Sequence, residues 1–417
     1  MAIQSQSDRE IVFVSQRYPP DKGGNAARVH DTATHLIDEG WDVTVLAPPP
    51  SYPPGEFDRS WRRKATDNAE GITAHRLWTF QPQTENPGMA KRLAYYLFFG
   101  IHAMLWLLWN RRQYDVVVTT TPPISTGAPG LLAGVIGKPW IVDVRDLWID
   151  ASISLDYLEE GSTIERVSRR FQRYVLHSAD RITVTTESLG DSLCESYGRT
   201  LNSKITIIPN GVNVERFRAH QEHVDATTDG GSPMIIYTGN LGSAQDLEAC
   251  IDAMNHLSDD SAVLRLVGGG DLESELRERV DELGLGDRVV FEGLVPRTEV
   301  PALLDQATIG VAPLRDTEEL AYAMPTKVYE YMASGLPIVV TGRGEIERFI
   351  ESSAGGIHAP NDPEAIAGAF DELFDSPERR RQLASNGYDH VKKQYSRQAI
   401  ARQLSRELQE LVDGHAG

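Results

Sequence analysis

Cysteine is nearly missing from this chain: only Cys194 and Cys250 occur in 417 residues. Two thiols build no disulfide framework and give no Cys-x-x-Cys spacing for a metal, so a reducing compartment is expected. No Asp-x-Asp triplet occurs anywhere, which disfavours chemistry in which carboxylates bridge a divalent ion to a diphosphate. No metal site and no cofactor are expected. Lysine is scarce as well, eight residues against thirty-three arginines, in a chain of formal net charge −19. So acidic an exterior speaks against nucleic acid as a partner, because that binding depends on Lys and Arg neutralising phosphates. The balance resembles that of halophilic proteins, although a GC-rich genome with an acidic proteome produces the same pattern. A secretory signal, a basic start followed by an apolar run, is also lacking: residues 1–10 are polar and carry both charge signs. The expected location is therefore cytoplasmic.

What is present is rhythm. The length is about twice that of a typical domain of ~100–200 residues. Short β-branched runs at 11–14, 43–46, 72–75, 116–119, 141–144, 182–185 and 205–208 alternate with helical stretches. After a polar gap at 221–232 the rhythm restarts, with runs at 235–237, 264–267, 289–291, 309–312 and 338–341. Alternation of this kind predicts an α/β chain with two doubly wound parallel sheets in tandem. The predicted domains are residues 1–208 and 209–394, with a last helix at about 395–417 placed to cross back to the first.

One run breaks the soluble pattern. Between Leu93 and Trp109 lie seventeen residues with no charge unless His102 is protonated, flanked by Lys91, Arg92, Arg111 and Arg112. The length is at the lower limit for crossing a bilayer, and a crossing would separate strands of one sheet. Two readings remain: a helix buried in the first domain, or a peripheral helix lying in the membrane interface with its basic flanks toward anionic lipid.

Four places carry candidate chemistry. The first strand leads to Asp21-Lys-Gly-Gly24, where Gly23 and Gly24 open a helix and backbone amides can meet an anion; an ordinary βα turn would read the same. In the second half Tyr237-Thr-Gly-Asn-Leu-Gly242 and Leu266-Val-Gly-Gly-Gly-Asp271 close adjacent strands at the edge where open sheets bind ligands, though such glycines also serve tight turns. The most informative stretch is Pro325-Thr-Lys-Val-Tyr-Glu-Tyr-Met-Ala-Ser-Gly335. Pro325 suits the helix start and Gly335 the carboxyl cap. That places Lys327 in the first turn and Glu330 on the same face about 4.5 Å further along the axis. An ammonium at a positive helix end suits a diphosphate, and a carboxylate accepts paired hydrogen bonds from ribose hydroxyls. The alternative is a surface ion pair. In the first half Asp143-Val-Arg-Asp146 closes a strand and puts Arg145 and Asp146 at the ligand edge, as a catalytic pair or a structural ion pair.

These motifs, with Ile208-Pro-Asn-Gly-Val212 and Val290-Phe-Glu-Gly293, occur in the order seen in family 4 retaining glycosyltransferases. Nearly the whole chain, from about Ile11 to the final helix, resembles that family, most of all the branch with bacterial N-acetylfucosamine transferases of surface-polysaccharide assembly. The resemblance implies a GT-B fold, two Rossmann-like domains facing across a cleft that holds a nucleotide-sugar donor. It implies that Glu330 holds the ribose and that Lys327 and the Gly239, Asn240 and Leu241 amides hold the diphosphate, with Gly23 and Gly24 on its other side. Gly269, Gly293 and Leu294 fall in the same donor-binding set, the last two against the base. Asp146 becomes the catalytic candidate of the first domain and Arg145 its partner or a diphosphate contact. The implied acceptor is a glycan or polyprenyl-linked hydroxyl.

Two positions depart from the family pattern. Tyr322 stands where a sugar-contacting Glu is common, with Asp316, Glu318 and Glu319 as nearby substitutes, and Asn240 and Gln245 occupy a turn that often carries Arg and Lys. Two other functions stay open on the sequence: a nucleotide-sugar epimerase of the same fold, separable by products formed without acceptor, and a non-catalytic sugar-nucleotide-binding partner of a membrane glycan complex, excluded by turnover of purified protein.

Overall fold

The computed structural model describes residues 9–22, 24–53, 55–59, 64–81, 84, 88–154, 158–218 and 232–416. Gly23 and nearly all of the polar gap at 221–232 lie outside the described residues. The chain divides into two compact units, Met1–Pro209 with Ile400–Gly417, and Asn210–Ala399.

The first unit is built on eight strands: β1 (Arg9–Val14), β2 (Trp41–Ala47), β3 (Lys64–Ala69), β4 (Ile72–Leu77), β5 (Val116–Thr121), β6 (Trp140–Val144), β7 (Arg181–Val184) and β8 (Ile205–Ile207). Their order is β3-β4-β2-β1-β5-β6-β7-β8. Every neighbouring pair is parallel except β3 with β4. The central strands are apolar on both sides, as a sheet covered by helices on both faces requires; all six residues of β5 are buried. The chain winds outward from β1 in one direction and from β5 in the other, so the switch point lies between these two strands.

Alternate residues serve opposite faces. Ile11, Phe13, Val43, Val45 and Ile141 pack with Val29, Ala33 and Leu36 of the Gly24–Asp38 helix, and with Ile400, Leu404, Leu408 and Leu411 of the last helix, Arg397–Ala416. Trp41 Nε1 donates to Ser405 Oγ at 2.9 Å, tying the start of β2 to the end of the chain. Trp140, one residue out of phase with Ile141, faces the other layer, where a side chain at Gly130 would meet its ring. That layer holds the helices Met89–Trp109, Gly127–Val135 and Thr163–Ser178, the middle one packed against both of the others.

The apolar run therefore belongs to one helix between β4 and β5, two strands of a single sheet. A crossing of the membrane is incompatible with that topology. One face of the helix, with Tyr95, Phe99, Ala103 and Trp106, is buried; the opposite face, with Leu93, Leu97, Ile101, Leu105 and Leu108, is exposed.

The second unit contains six parallel strands, β9 (Met234–Thr238), β10 (Val263–Val267), β11 (Val289–Gly293), β12 (Ile309–Ala312), β13 (Ile338–Val340) and β14 (Gly356–His358), in the order β11-β10-β9-β12-β13-β14. Here too adjacent residues serve separate cores: Ile235 and Tyr237 pack with Leu247, Ile251 and Phe370, whereas Ile236 packs with Val328, Tyr331 and Met332. The switch point lies between β9 and β12, and β9 ends in the Gly239 turn.

Candidate functional site

The two units each present a carboxyl edge. In the second unit the helix Thr326–Ala333 starts one residue after Pro325, which is the N-cap and offers no capping side chain. Its positive end is thus left for another partner. Tyr331 fixes the helix to the sheet: its buried hydroxyl accepts from the Thr238 amide at 2.7 Å, at the end of β9. Gly335 closes the helix at φ +70°, with the Leu336 amide donating to the Tyr331 carbonyl at 3.0 Å.

This framework sets Lys327 against the Gly239 turn. The Lys327 ammonium lies 3.6 Å from the centre of the Tyr237 ring, and a Cβ at Gly239 would approach it to 3.0 Å. Tyr237 is fully buried and donates through its hydroxyl to the Asn240 carbonyl. Among the described residues Lys327 has no ion pair, and the aromatic face is the favourable contact beneath its ammonium. Burial pushes the ammonium down to about 7, against the opposing pull of Glu330 and Cys250. A poorly compensated cation at a helix start beside a glycine turn is arranged to receive an anion.

Glu330 forms an ion pair, but its partner is Arg297: Nη2 donates to Oε1 at 3.2 Å. Arg297 lies in the loop after β11, close behind Gly293 and Leu294, and its own carbonyl accepts from Arg216. Sequence reading did not single it out, since an exposed Arg four residues beyond a strand has no periodic signal. Leu294 is 87 % exposed, and a Cβ at Gly269 would sit 3.5 Å from its side chain. The edge therefore gathers Gly239, Asn240, Gly269, Gly293, Leu294, Lys327 and Glu330.

Two expectations for this edge need correction. The Gly239 amide donates to the Val267 carbonyl at 2.8 Å and the Leu241 amide to Gly269 at 3.1 Å. Both amides lace the glycine turns to one another, so they are not the diphosphate donors expected of them. Leu241 is also fully buried, and its carbonyl accepts from Leu272; its part is structural. Of the acids near Tyr322, Asp316 and Glu318 both pair with Arg343.

At the first unit's edge Gly24 begins the Gly24–Asp38 helix, and Gly23 lies outside the described residues. Lys22, placed beside the glycines, is paired with Glu56 at 2.8 Å. Arg145 donates to Asp143 at 2.8 Å and to the Asn25 side chain. Asp143 also meets Arg28 at 3.4 Å and accepts from Thr183 at 2.9 Å. Burial alone would raise the Asp143 carboxyl, but Arg28 and Arg145 outweigh it and hold it low, while burial brings Arg145 down to about 10. Arg145 belongs to this buried cluster, which ties the end of β6 to the start of the first helix. Asp146 itself is half-buried beside it. Sequence reading also passed over Gln16, at the end of β1 by the switch point: it is 2 % exposed, and among the described residues neither amide atom has a hydrogen-bond partner. A buried unsatisfied amide at a ligand edge is a strained choice for a purely structural residue.

Residues 23–211 match the family described as glycosyl transferase 4-like domain, and residues 220–390 match glycosyl transferases group 1. WcaI of Escherichia coli strain K12, named as a colanic acid biosynthesis glycosyl transferase, is 25 % identical over 81 % of this chain and 84 % of its own length. Among solved structures, sucrose-phosphate synthase from Thermosynechococcus elongatus is similar at a TM-score of 0.74 and 19 % identity, covering 97 % of this chain and all of that one. Anabaena HepE in complex with UDP is similar at a TM-score of 0.69 and 16 % identity, over 96 % of this chain and all of that one. These likenesses identify the fold as GT-B. With the two family matches together covering most of its length, the chain belongs to the glycosyltransferases of GT-B type, a 4-like domain followed by a group 1 domain.

Proposed function

We propose that this glycosyltransferase moves a sugar from a nucleotide diphosphate onto a hydroxyl of a glycan or lipid-linked acceptor, with retention at the anomeric carbon. The observation that carries the donor reading is the Lys327 ammonium, held over Tyr237 at the open end of a helix. The second unit binds the donor: Lys327, the helix end and the Asn240 turn meet the diphosphate, Glu330 meets the ribose, and Gly269, Gly293 and Leu294 border the base. The first unit holds the acceptor, with Asp146 at its edge. Retention follows if the acceptor attacks on the face the diphosphate leaves and a departing phosphate oxygen takes its proton. No protein base and no metal ion are then required, and the rate rests on orientation and on charge stabilisation at the leaving group. The name of the WcaI relative supports a role in surface-glycan assembly, on or near the N-acetylfucosamine transferase branch.

A panel of UDP-, GDP-, ADP- and dTDP-sugars tests the donor reading by thermal stabilisation, because a ligand bound only by the folded state raises the melting point. If none of the panel stabilises the protein or is turned over, the reading fails. Glu330→Ala is expected to weaken UDP binding by about thirtyfold, a net loss of about 1 kcal/mol for each of two hydrogen bonds. The same substitution should leave binding of 2′,3′-dideoxy-UDP almost unchanged; equal losses for both nucleotides would remove Glu330 from the ribose.

We place the protein on the cytoplasmic face of the membrane as a peripheral enzyme, through the exposed side of the Met89–Trp109 helix. Leu93, Leu97, Ile101 and Leu105 recur every fourth residue on that side, a stripe suited to lying in the interface. Leu97→Glu combined with Ile101→Glu is expected to abolish co-sedimentation with lipid vesicles while leaving the melting temperature unchanged. Undiminished sedimentation of the variant would rule the helix out.

A further inference from the structure

Resting on the peripheral reading, the structure assigns a second, lipid-selective element to the same face: we infer that the Thr163–Ser178 helix reads anionic phospholipid headgroups beside the inserted Met89–Trp109 helix.

The first support is where exposed apolar side chains gather. Of the sixteen large apolar residues exposed among the described residues, eleven lie on three helices, Met89–Trp109, Gly127–Val135 and Thr163–Ser178. These are the three helices of one layer, and their free surfaces point away from the same side of the sheet. Isolated exposed apolar residues need no explanation, but a continuous concentration marks a binding face. On the Thr163–Ser178 helix the exposed apolar residues are Ile164, Val167 and Tyr174, over 50 % exposed each.

The second support is charge, and it is independent of the first. The three helices together hold a single acidic residue, Glu165, in a chain with sixty. Glu165 is buried and paired with Arg169 at 2.7 Å. Between its apolar residues the Thr163–Ser178 helix shows Arg166, Arg170 and Arg173 to solvent; Arg173 donates to the Tyr197 and Ser196 carbonyls, whereas Arg166 and Arg170, one turn apart, are in no ion pair among the described residues. Exposed Lys91, Arg111 and Arg112 bracket the neighbouring apolar stripe. A chain of net charge −19 is repelled as a whole by an anionic surface. A face whose helices carry few carboxylates, the exposed Asp150 beside them being paired with Arg169, and which is supplied with guanidiniums lets one side approach while the rest is held off, which fixes orientation as well as attachment. Among possible occupants, a second copy of the chain would set these arginines against one another in a symmetric contact. An anionic bilayer satisfies the apolar and the basic groups together.

The test is co-sedimentation of the full-length protein with vesicles of phosphatidylcholine alone and of phosphatidylcholine with an equal part of phosphatidylglycerol. Wild-type protein is expected to bind the anionic vesicles more tightly, and Arg166→Gln with Arg170→Gln to lose about tenfold or more of that affinity while binding neutral vesicles as before. Raising salt should erase the difference between wild type and variant. Unchanged melting of the variant shows that it is folded, since both side chains are exposed. If the arginine variant binds anionic vesicles as wild type does while the Leu97→Glu, Ile101→Glu variant loses binding, the inference is overturned and the peripheral reading stands. If wild type binds neither vesicle, both fall.

Discussion

Lys327→Ala is expected to lower kcat/KM for the nucleotide sugar by about 10²- to 10³-fold, the effect of removing a preorganised charge from a developing diphosphate anion. Lys327→Arg should not restore it, because a planar guanidinium is larger than the space between the Tyr237 ring and the Gly239 turn that the ammonium occupies. Loss of folding would be a trivial cause, but Lys327→Met is expected to melt no lower than wild type, since a buried ammonium without an ion pair costs stability. The same residue predicts a pH dependence of binding. Burial holds the free ammonium down to about 7, and a diphosphate beside it would restore the ordinary preference for the proton. Between those two values binding takes up a proton, so affinity is highest below about pH 7 and declines above it by up to about tenfold per unit. UDP-glucose keeps a constant charge from about pH 6.5 to 8.5, and calorimetry with it in buffers of different ionisation heat would count the proton. A flat affinity across that range with no uptake would assign the diphosphate to another group.

Gly268→Ala should cost the second unit about 3 kcal/mol or more, read as a lowered urea midpoint. Gly268 sits at φ +144°, where side chains are strained, and an added Cβ would fall 1.8 Å from the Gly239 carbonyl oxygen. Backbone cannot step aside as a side-chain tip can, because the Gly239 amide is bonded to Val267 and the Gly268 amide to Gly293. The three glycine turns would have to shift together, carrying the floor beneath Lys327 with them, so donor affinity should fall along with stability. Gly286→Ala is the control: that residue is exposed, has open space around its Cα and no unusual φ. If the two substitutions were equally mild, the close approach of the turns would not be holding the edge together.

The parallel strands were legible because each is buried on both sides and so reads as a compact β-branched run. Strand β3, Lys-Ala-Thr-Asp-Asn-Ala, was not, for an edge strand exposed along Thr66 to Ala69 needs no apolar pattern. The Lys327 to Gly335 helix was legible from its capping residues and the spacing of its charges. Its electrostatics were not, because the partner of Lys327 is a tyrosine ninety residues earlier and that of Glu330 an arginine in a loop. Leu241 illustrates another limit: within Gly-Asn-Leu-Gly nothing local tells which residue turns to the ligand and which plugs the core. The basic face of the Thr163–Ser178 helix escaped for the same reason. Four arginines along its sequence signify little until the fold shows that Arg169 is engaged with Asp150 and Glu165 while Arg166 and Arg170 are left outside.

Tying the start of β2 to the final helix has a consequence for synthesis. The second unit's residues emerge from the ribosome as one uninterrupted stretch and need nothing later to complete their sheet. The first unit, although made first, waits for Ile400, Leu404, Leu408 and Leu411 to cover one face of its sheet, a delay on the order of tens of seconds at usual elongation rates. Throughout that interval an apolar surface stands open for a chaperone or a neighbouring nascent chain to occupy. The lobe translated first is therefore the last to mature, and a premature stop before the Arg397–Ala416 helix would damage the oldest part of the molecule.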